Sequence, residues 1–361
     1  MKLQVTEENL NKALISVSRI ASSRSTLPIL ANVLIKTSNN LLSISATNLS
    51  LAITHSIGAK ISQDGSITVP ARLMQDYISS LPGGIIELEV ENNKLKIKAK
   101  NYTSTINGIS ADDYPEMPLI EKPSKFTIQS NSLKEALSEV VLVASNDETR
   151  PILTGVLFDS SQNGFLIAAT DSYRLAEKKL TSLKKEFKLL IPASSIQDLL
   201  RILPDENTTI NVDYDDNQIK FNVNEIQLLT RLLSGQYPDY QALIPKKFEI
   251  KAKINKQSMV SIVKIANLFA RETAGSIKIN VKANLIEINS IASQIGENNS
   301  STEAETEGEG EITLNAKYLL DALNVIDSNE IDFSFNGKLD PILVTPSNKK
   351  DYLHIIMPLK S

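Results

Sequence analysis

Leu10-Asn-Lys-Ala-Leu-Ile-Ser-Val-Ser-Arg-Ile-Ala21 returns at an offset of 123 residues as Leu133-Lys-Glu-Ala-Leu-Ser-Glu-Val-Val-Leu-Val-Ala144. In both stretches Leu, Leu, Val and Ala stand at i, i+4, i+7 and i+11, which is one apolar face of an α-helix. Met259, Val263, Ala266 and Ala270 repeat the spacing, so the chain carries one helix three times. Other pairs keep the first offset: Leu-Pro-Ile-Leu (27–30) with Arg-Pro-Ile-Leu (150–153), Thr47 with Thr170, and Tyr114-Pro115 with Tyr237-Pro238. A period this long is a domain repeat rather than a solenoid unit.

The length of 361 residues suits two or three domains, and a repeat of this size can bury its own core. Boundaries are expected near 122 and 245, giving domains 1–122, 123–245 and 246–361, because Pro-marked loops (111–118 and 235–240) end just before them. With no cysteine, no N-terminal apolar stretch and no run approaching ~20 apolar residues, the expectation is a soluble, cytoplasmic protein.

Within each repeat the signals come in a fixed order. Thr6 before Glu7 and Glu8, Ser132 three before Glu135, and Asn255 open the first helices as caps. Apolar runs Val33–Ile35 with Leu42–Ile44, and Val156–Phe158 with Phe165–Ala168, flank turn residues as hairpins. Second helices start at Pro-Ala-Arg-Leu-Met-Gln-Asp (70–76), Pro-Ala-Ser-Ser-Ile-Gln-Asp (192–198) and Asn-Ala-Lys-Tyr-Leu-Leu-Asp (315–321). Alternating hairpins follow, with one wet and one packed face. The fold class is therefore α+β: three similar domains, each with two helices packed on antiparallel sheet. Sheets joined edge to edge would put all helices on one side and cover exposed strand edges. Two copies meeting head to tail could then close a ring with helices lining the hole, and an open row of three domains is the alternative.

The net charge of −4 does not mark a nucleic-acid binder. The helices nonetheless carry Lys12, Arg19, Arg72, Lys134, Arg201, Lys256, Lys264, Arg271 and Lys317 against Glu7, Glu8, Asp76, Glu135, Glu139, Asp198 and Asp321. Asp76, Asp198 and Asp321 fall at the same place in every copy, which points to a structural role. Such a weakly positive lining suits loose phosphate contact without base readout, and ordinary solvated helix faces are the alternative. Acid collects in Glu297, Glu303, Glu305, Glu307, Glu309 and Glu311, expected as one face of an extended segment or, preferably, as a solubilising loop.

Catalytic constellations are missing. His55 and His354 are the only histidines, both in strand-like runs and expected to be structural, and no metalloprotease, hydrolase or P-loop motif occurs. No enzyme activity, cofactor or metal is expected. Polar residues that break the repeat are better candidates, above all Arg174 in Thr170-Asp-Ser-Tyr-Arg-Leu-Ala176, where the first copy has Leu51.

Arg24-Ser-Thr-Leu-Pro-Ile-Leu30, Thr-Val-Pro-Ala-Arg72, Ala-Thr-Asp-Ser-Tyr-Arg-Leu-Ala176, Tyr-Pro-Asp-Tyr240 and Met-Pro-Leu359 together resemble the bacterial sliding clamps, beta subunits of DNA polymerase III. The resemblance runs through essentially the whole chain. It implies a DNA-clamp architecture: a head-to-tail homodimeric ring around double-stranded DNA that tethers the replicative polymerase without catalysis. A groove between the second and third domains would take short linear motifs from polymerase, clamp loader and repair proteins. By position it comprises Thr170, Tyr173, Arg174, Leu175, Pro238, Leu243, Tyr318, Ile355, Met357 and Leu359. The same carry-over makes Arg24, Arg72, Arg150 and Arg201 DNA-facing and Ile106 and Leu268 dimer contacts. Two departures stand out: Ala242 where relatives often have arginine, and Ala193-Ser194 where some have basic residues.

Overall fold

The structure, a computed structural model, describes residues 1–21, 27–38, 40–116, 119–161, 164–181, 183, 185–292 and 296–359. It contains the helices expected from the repeat: α1 (Glu7–Val17), α2 (Ala71–Ser79), α3 (Ser130–Val140), α4 (Ala193–Ile202), α5 (Lys256–Phe269) and α6 (Ala316–Val325). Thr6 accepts from the Asn9 amide, Asn255 from Ser258, and Asn315 from Lys317 and Tyr318, satisfying first-turn N–H groups that have no partner within the helix. Ser132 is not a cap. The third helix begins at Ser130, whose hydroxyl donates to the Glu206 carbonyl and accepts from the Thr208 amide. α1 and α3 also stop at Val17 and Val140, a turn before Ala21 and Ala144.

The apolar faces are buried as the spacing requires: Leu10, Leu14 and Val17 in α1, Leu133, Leu137 and Val140 in α3, and Met259, Val263 and Ala266 in α5. Each fully covered aliphatic side chain contributes about 1.5–3 kcal/mol, so these stripes fix the helices on their sheets.

The chain forms two compact units, one of Met1–Asn131 with Gln197–Leu232 and one of Ser132–Ile196 with Leu233–Ser361. The first unit holds a five-stranded sheet in the order Lys60–Gln63, Lys2–Thr6, Ile85–Glu91, Lys94–Ala99, Tyr102–Asn107. Beside it in sequence is an eight-stranded sheet, at whose middle Ile226–Arg231 pairs antiparallel with Leu51–Gly58, Leu228 opposite Ile53. The second unit holds a twelve-stranded sheet in which Arg174–Leu180 pairs with Tyr352–Ile356, Leu175 opposite Ile355. Consecutive repeats are thus joined edge to edge, once inside each unit. These joins also explain why the compact units divide the second repeat: its strands at 124–129 and 209–231 belong to one sheet and those at 155–192 to the other.

The acidic run is strand rather than loop, apart from Glu309, which stands in the turn between Gly296–Glu307 and Gly310–Asn315. Gly296–Glu307 pairs with Leu285–Ala292 on one edge, and Glu303, Glu305 and Glu307 alternate outward. Glu311, in the strand Gly310–Asn315, meets Lys278 at 2.6 Å and also Lys338, and these ammonium groups hold its carboxyl down to about 2.

Candidate partner-peptide site

The turn 170–174 is built by its own short side chains. Thr170 Oγ1 donates to the Arg174 carbonyl (2.7 Å) and accepts from the Ser172 amide (3.1 Å), while Asp171 Oδ1 accepts from the amides of Tyr173 and Arg174 (2.9 and 3.0 Å). Ser172 sits at φ 80°, a left-handed position that these bonds pin. Thr47, Asn48 and Leu49 make the same turn in the first repeat: Thr47 Oγ1 bonds the Leu51 carbonyl at 2.9 Å, Asn48 Oδ1 accepts from Ser50 and Leu51, and Leu49 lies at φ 76°. The turn belongs to the fold. What differs is the side chain it presents, Arg174 against Leu51.

Arg174 reaches across the second unit. Its Nε donates to Asp171 (3.0 Å), Nη1 to Asp321 in α6 (2.5 Å) and Nη2 to the Leu142 carbonyl (3.0 Å), and its guanidinium lies 4.4 Å from the centroid of the Tyr318 ring. Burial raises the Tyr318 phenol and Asp171 adds to the shift. Leu175 and Ile355, opposite one another in the sheet, are buried in an apolar cluster with Leu157, Leu166, Leu190, Tyr237 and Tyr240. Around that floor Tyr173, Pro238, Leu243 and Met357 are exposed. The tail is held by main-chain bonds, Met357 N–H to the Tyr173 carbonyl and Leu359 N–H to the Thr313 carbonyl, both 2.8 Å. Of the ten residues expected here, hydrogen bonds, strand pairing and the cation–ring contact tie Thr170, Tyr173, Arg174, Leu175, Tyr318, Ile355 and Met357 to one another, Leu359 follows on the tail, and Pro238 and Leu243 flank buried Tyr240.

Sequence reasoning missed the supports beneath this surface. Tyr240 donates to the buried Glu177 carboxylate at 2.7 Å, and burial followed by that carboxylate drives its phenol far above the ordinary range. Lys178, only 4% exposed, meets Glu135, Glu139 and Asp351 at 2.8, 2.9 and 3.3 Å. Burial alone would lower the Lys178 ammonium, but hydrogen bonds to Glu135 and Glu139 hold it above its usual value. Its place in the run Glu177-Lys178-Lys179 gave no sign of burial. Asp321 was legible only as a repeated aspartate, not as the partner of Arg174. His354 is fully buried with Nδ1 2.8 Å from the Tyr352 hydroxyl; burial, then Arg174, lowers it to about 3, so it is a neutral structural group. His55, 2.9 Å from Ser16 Oγ and lowered by burial, is structural as well.

The remaining expected residues scatter. Arg24 lies outside the described residues. Arg72 is exposed on α2. Arg201 on α4 pairs with Asp198 (2.5 Å) and lines an open cleft of about 360 Å³ with Lys12, Ile15 and Arg19. Arg150 is bound to Asp147 (2.9 Å) and to Ser172 Oγ (3.2 Å), at the turn rather than on a helix. Ile106 is in the edge strand Tyr102–Asn107 with its side chain buried, whereas Leu268 on α5 is 54% exposed. Among the described residues no cluster of His, Cys, Asp and Glu could hold a metal ion, and no helix is long and apolar enough to cross a membrane.

Three family models match in succession: DNA polymerase III beta subunit N-terminal domain (residues 1–118), central domain (127–239) and C-terminal domain (241–360). The beta sliding clamp of Bacillus subtilis (strain 168) is 32% identical over 377 residues, covering 100% of both chains. That of Synechocystis sp. is 30% identical, covering 100% of this chain and 99% of its own. The crystal structure of the Bacillus subtilis DNA polymerase sliding clamp superposes with a TM-score of 0.96 at 32% identity, over 100% of this chain and 99% of that one.

Proposed function

The chain belongs to the beta sliding clamp family, the beta subunits of DNA polymerase III, and on that premise we propose that two copies close head to tail around double-stranded DNA and tether a polymerase there. The observation that carries this is the unbroken succession of all three clamp domains, in a three-domain fold that matches a sliding clamp from end to end. The domains are taken as 1–122, 123–245 and 246–361. No catalysis, cofactor or metal is assigned; the work is mechanical, and any nucleotide use belongs to a loader. The protein acts in the cytoplasm, where its DNA is.

Linear segments of polymerase, loader and repair proteins would dock on the surface formed by Thr170, Tyr173, Arg174, Leu175, Pro238, Leu243, Tyr318, Ile355, Met357 and Leu359. An apolar floor with exposed aromatic and aliphatic walls suits a short hydrophobic peptide. Arg24, Arg72, Arg150 and Arg201 would meet phosphates without base contacts, so the ring can slide. Leu268 and the edge strand that carries Ile106 would join one copy to the next.

Encirclement is tested by loading the protein onto a nicked circle and then cutting the DNA. Release on linearisation is the expected result. Retention on linear DNA, or a protein that stays monomeric near 39.7 kDa yet binds the peptide, would replace the ring with an open scaffold.

A further inference from the structure

Arg174 breaks the repeat at the turn 170–174, and a lone cation beside apolar walls would suit a polar or acidic anchor in a partner. Its surroundings say otherwise. A guanidinium has five N–H groups in a rigid fork. Three are already used within the chain, on Asp171, Asp321 and the Leu142 carbonyl, and one face is covered by Tyr318. The side chain is only 10% exposed. Two carboxylates against one guanidinium leave the set with a net charge of −1, so an incoming carboxylate meets repulsion rather than a free cation.

The three bonds go to three different segments. Asp171 belongs to the turn that presents Tyr173, Asp321 lies one turn along α6 from Tyr318, and Leu142 follows α3. We propose that Arg174 is a positioning residue, a strut that locks the 170–174 turn, Tyr318 and the 141–143 segment into one surface, and not a charged anchor for an acidic residue of the docking segment. Asp171 and Asp321 share the role. Neither was assigned to the site, and Asp321 occupies the place where Asp76 and Asp198 stand in the other repeats. This rests on the peptide-docking reading above and assigns what holds its surface in shape.

An anchor and a strut part company when the charge is kept and the fork removed. Arg174→Lys leaves a cation but cannot hold three partners in a plane. The assay is binding of the polymerase-derived linear segment, made with its acidic residues and again with the corresponding amides, to wild type, Arg174→Lys, Arg174→Ala and Asp321→Asn. Circular dichroism melts check that each variant folds. The strut predicts a loss of tenfold or more for both Arg174 variants, a loss of several-fold for Asp321→Asn, and an acid-to-amide effect in the peptide that is the same within twofold for wild type and Arg174→Ala. The proposal is overturned if Arg174→Lys keeps affinity within twofold, if Asp321→Asn binds like wild type, or if the peptide's acid-to-amide change costs tenfold with wild type and nothing with Arg174→Ala. Should wild type bind no peptide, the docking reading fails by itself. The strut is then judged by the Tyr318 ring resonances, which must shift in both Arg174→Lys and Asp321→Asn and would refute it by staying put.

Discussion

At the same crossing of helix and strand, the first two repeats do different chemistry. In the first, Ser16 of α1 meets His55 at 2.9 Å, a neutral, half-buried hydrogen bond. At the same offset of 123, Glu139 of α3 meets Lys178 at 2.9 Å, a buried ion pair joined by Glu135 and Asp351. Burial raises the Glu139 carboxyl against the pull of Lys178, whereas the more open Glu135 is lowered by its hydrogen bond to the same ammonium. A second contrast lies nearby. Ser43, Ser45, Ala52 and Thr54 of the first repeat line an open cleft of about 340 Å³ with Gln227 and Leu229 of the second, and their counterparts Leu166, Ala168 and Leu175 are packed in the apolar cluster, with Glu177 bonded to Tyr240. The backbone is repeated, but the filling is not. What the fold requires at these places is complementarity, and the second copy has used that latitude to build the floor of the proposed groove.

The largest expected effect separates the two crossings. Lys178→Met strands Glu139 and its neighbours and should cost about 3–5 kcal/mol in urea unfolding at pH 7, while His55→Ala should cost about 1 kcal/mol. Equal costs would mean that the buried cluster is no more demanding than a hydrogen bond. Next come the fillings: Leu175→Ala opens a cavity and should lose about 2–4 kcal/mol, whereas Ala52→Leu places a side chain over an existing cleft and should change stability by less than about 1.5 kcal/mol. A large penalty for Ala52→Leu would show that the cleft cannot accept the filling of the second repeat.

Acid sharpens the contrast further. Because His354 is lowered to about 3 in the folded chain, the unfolded chain binds the proton first as pH falls below 6.5, and stability falls with it. Between pH 7 and pH 5 this amounts to about 2 kcal/mol, and His55, partly buried and also lowered by that burial, adds a loss in the same direction. Unfolding midpoints of wild type and His354→Gln at the two pH values check it; parallel losses would acquit His354. The smallest effect concerns DNA. Arg72→Ala should lower the salt dependence of binding by about one ion, and Arg150→Ala by less, since Asp147 already balances that guanidinium. A larger change at Arg150 would reverse the order.

Helices and hairpins were legible because their signals are local: apolar spacing, caps and turn residues lie within a few positions of one another. Even there, Ser132 misled, because the start of α3 is set by a strand end far away, through Ser130 and Thr208. The acidic run was ambiguous because alternation alone does not say whether a neighbouring strand exists; Leu285–Ala292 supplies it. The outline of the candidate site came from family likeness and broken symmetry. Its wiring did not, because Arg174 is tied to a residue 147 positions away and to a carbonyl that has no signature in sequence.

The joins between repeats, Leu51–Gly58 with Ile226–Arg231 and Arg174–Leu180 with Tyr352–Ile356, consist of main-chain N–H and C=O groups. Such a seam reads no letters. Side chains along it can be exchanged, as Ala52 and Leu175 or Thr54 and Glu177 have been, while the stitches themselves stay where they are. A lineage can therefore rewrite the surfaces on either side of a join at little risk to the join itself, and divergence to about a third identity without loss of shape is the outcome such stitching permits.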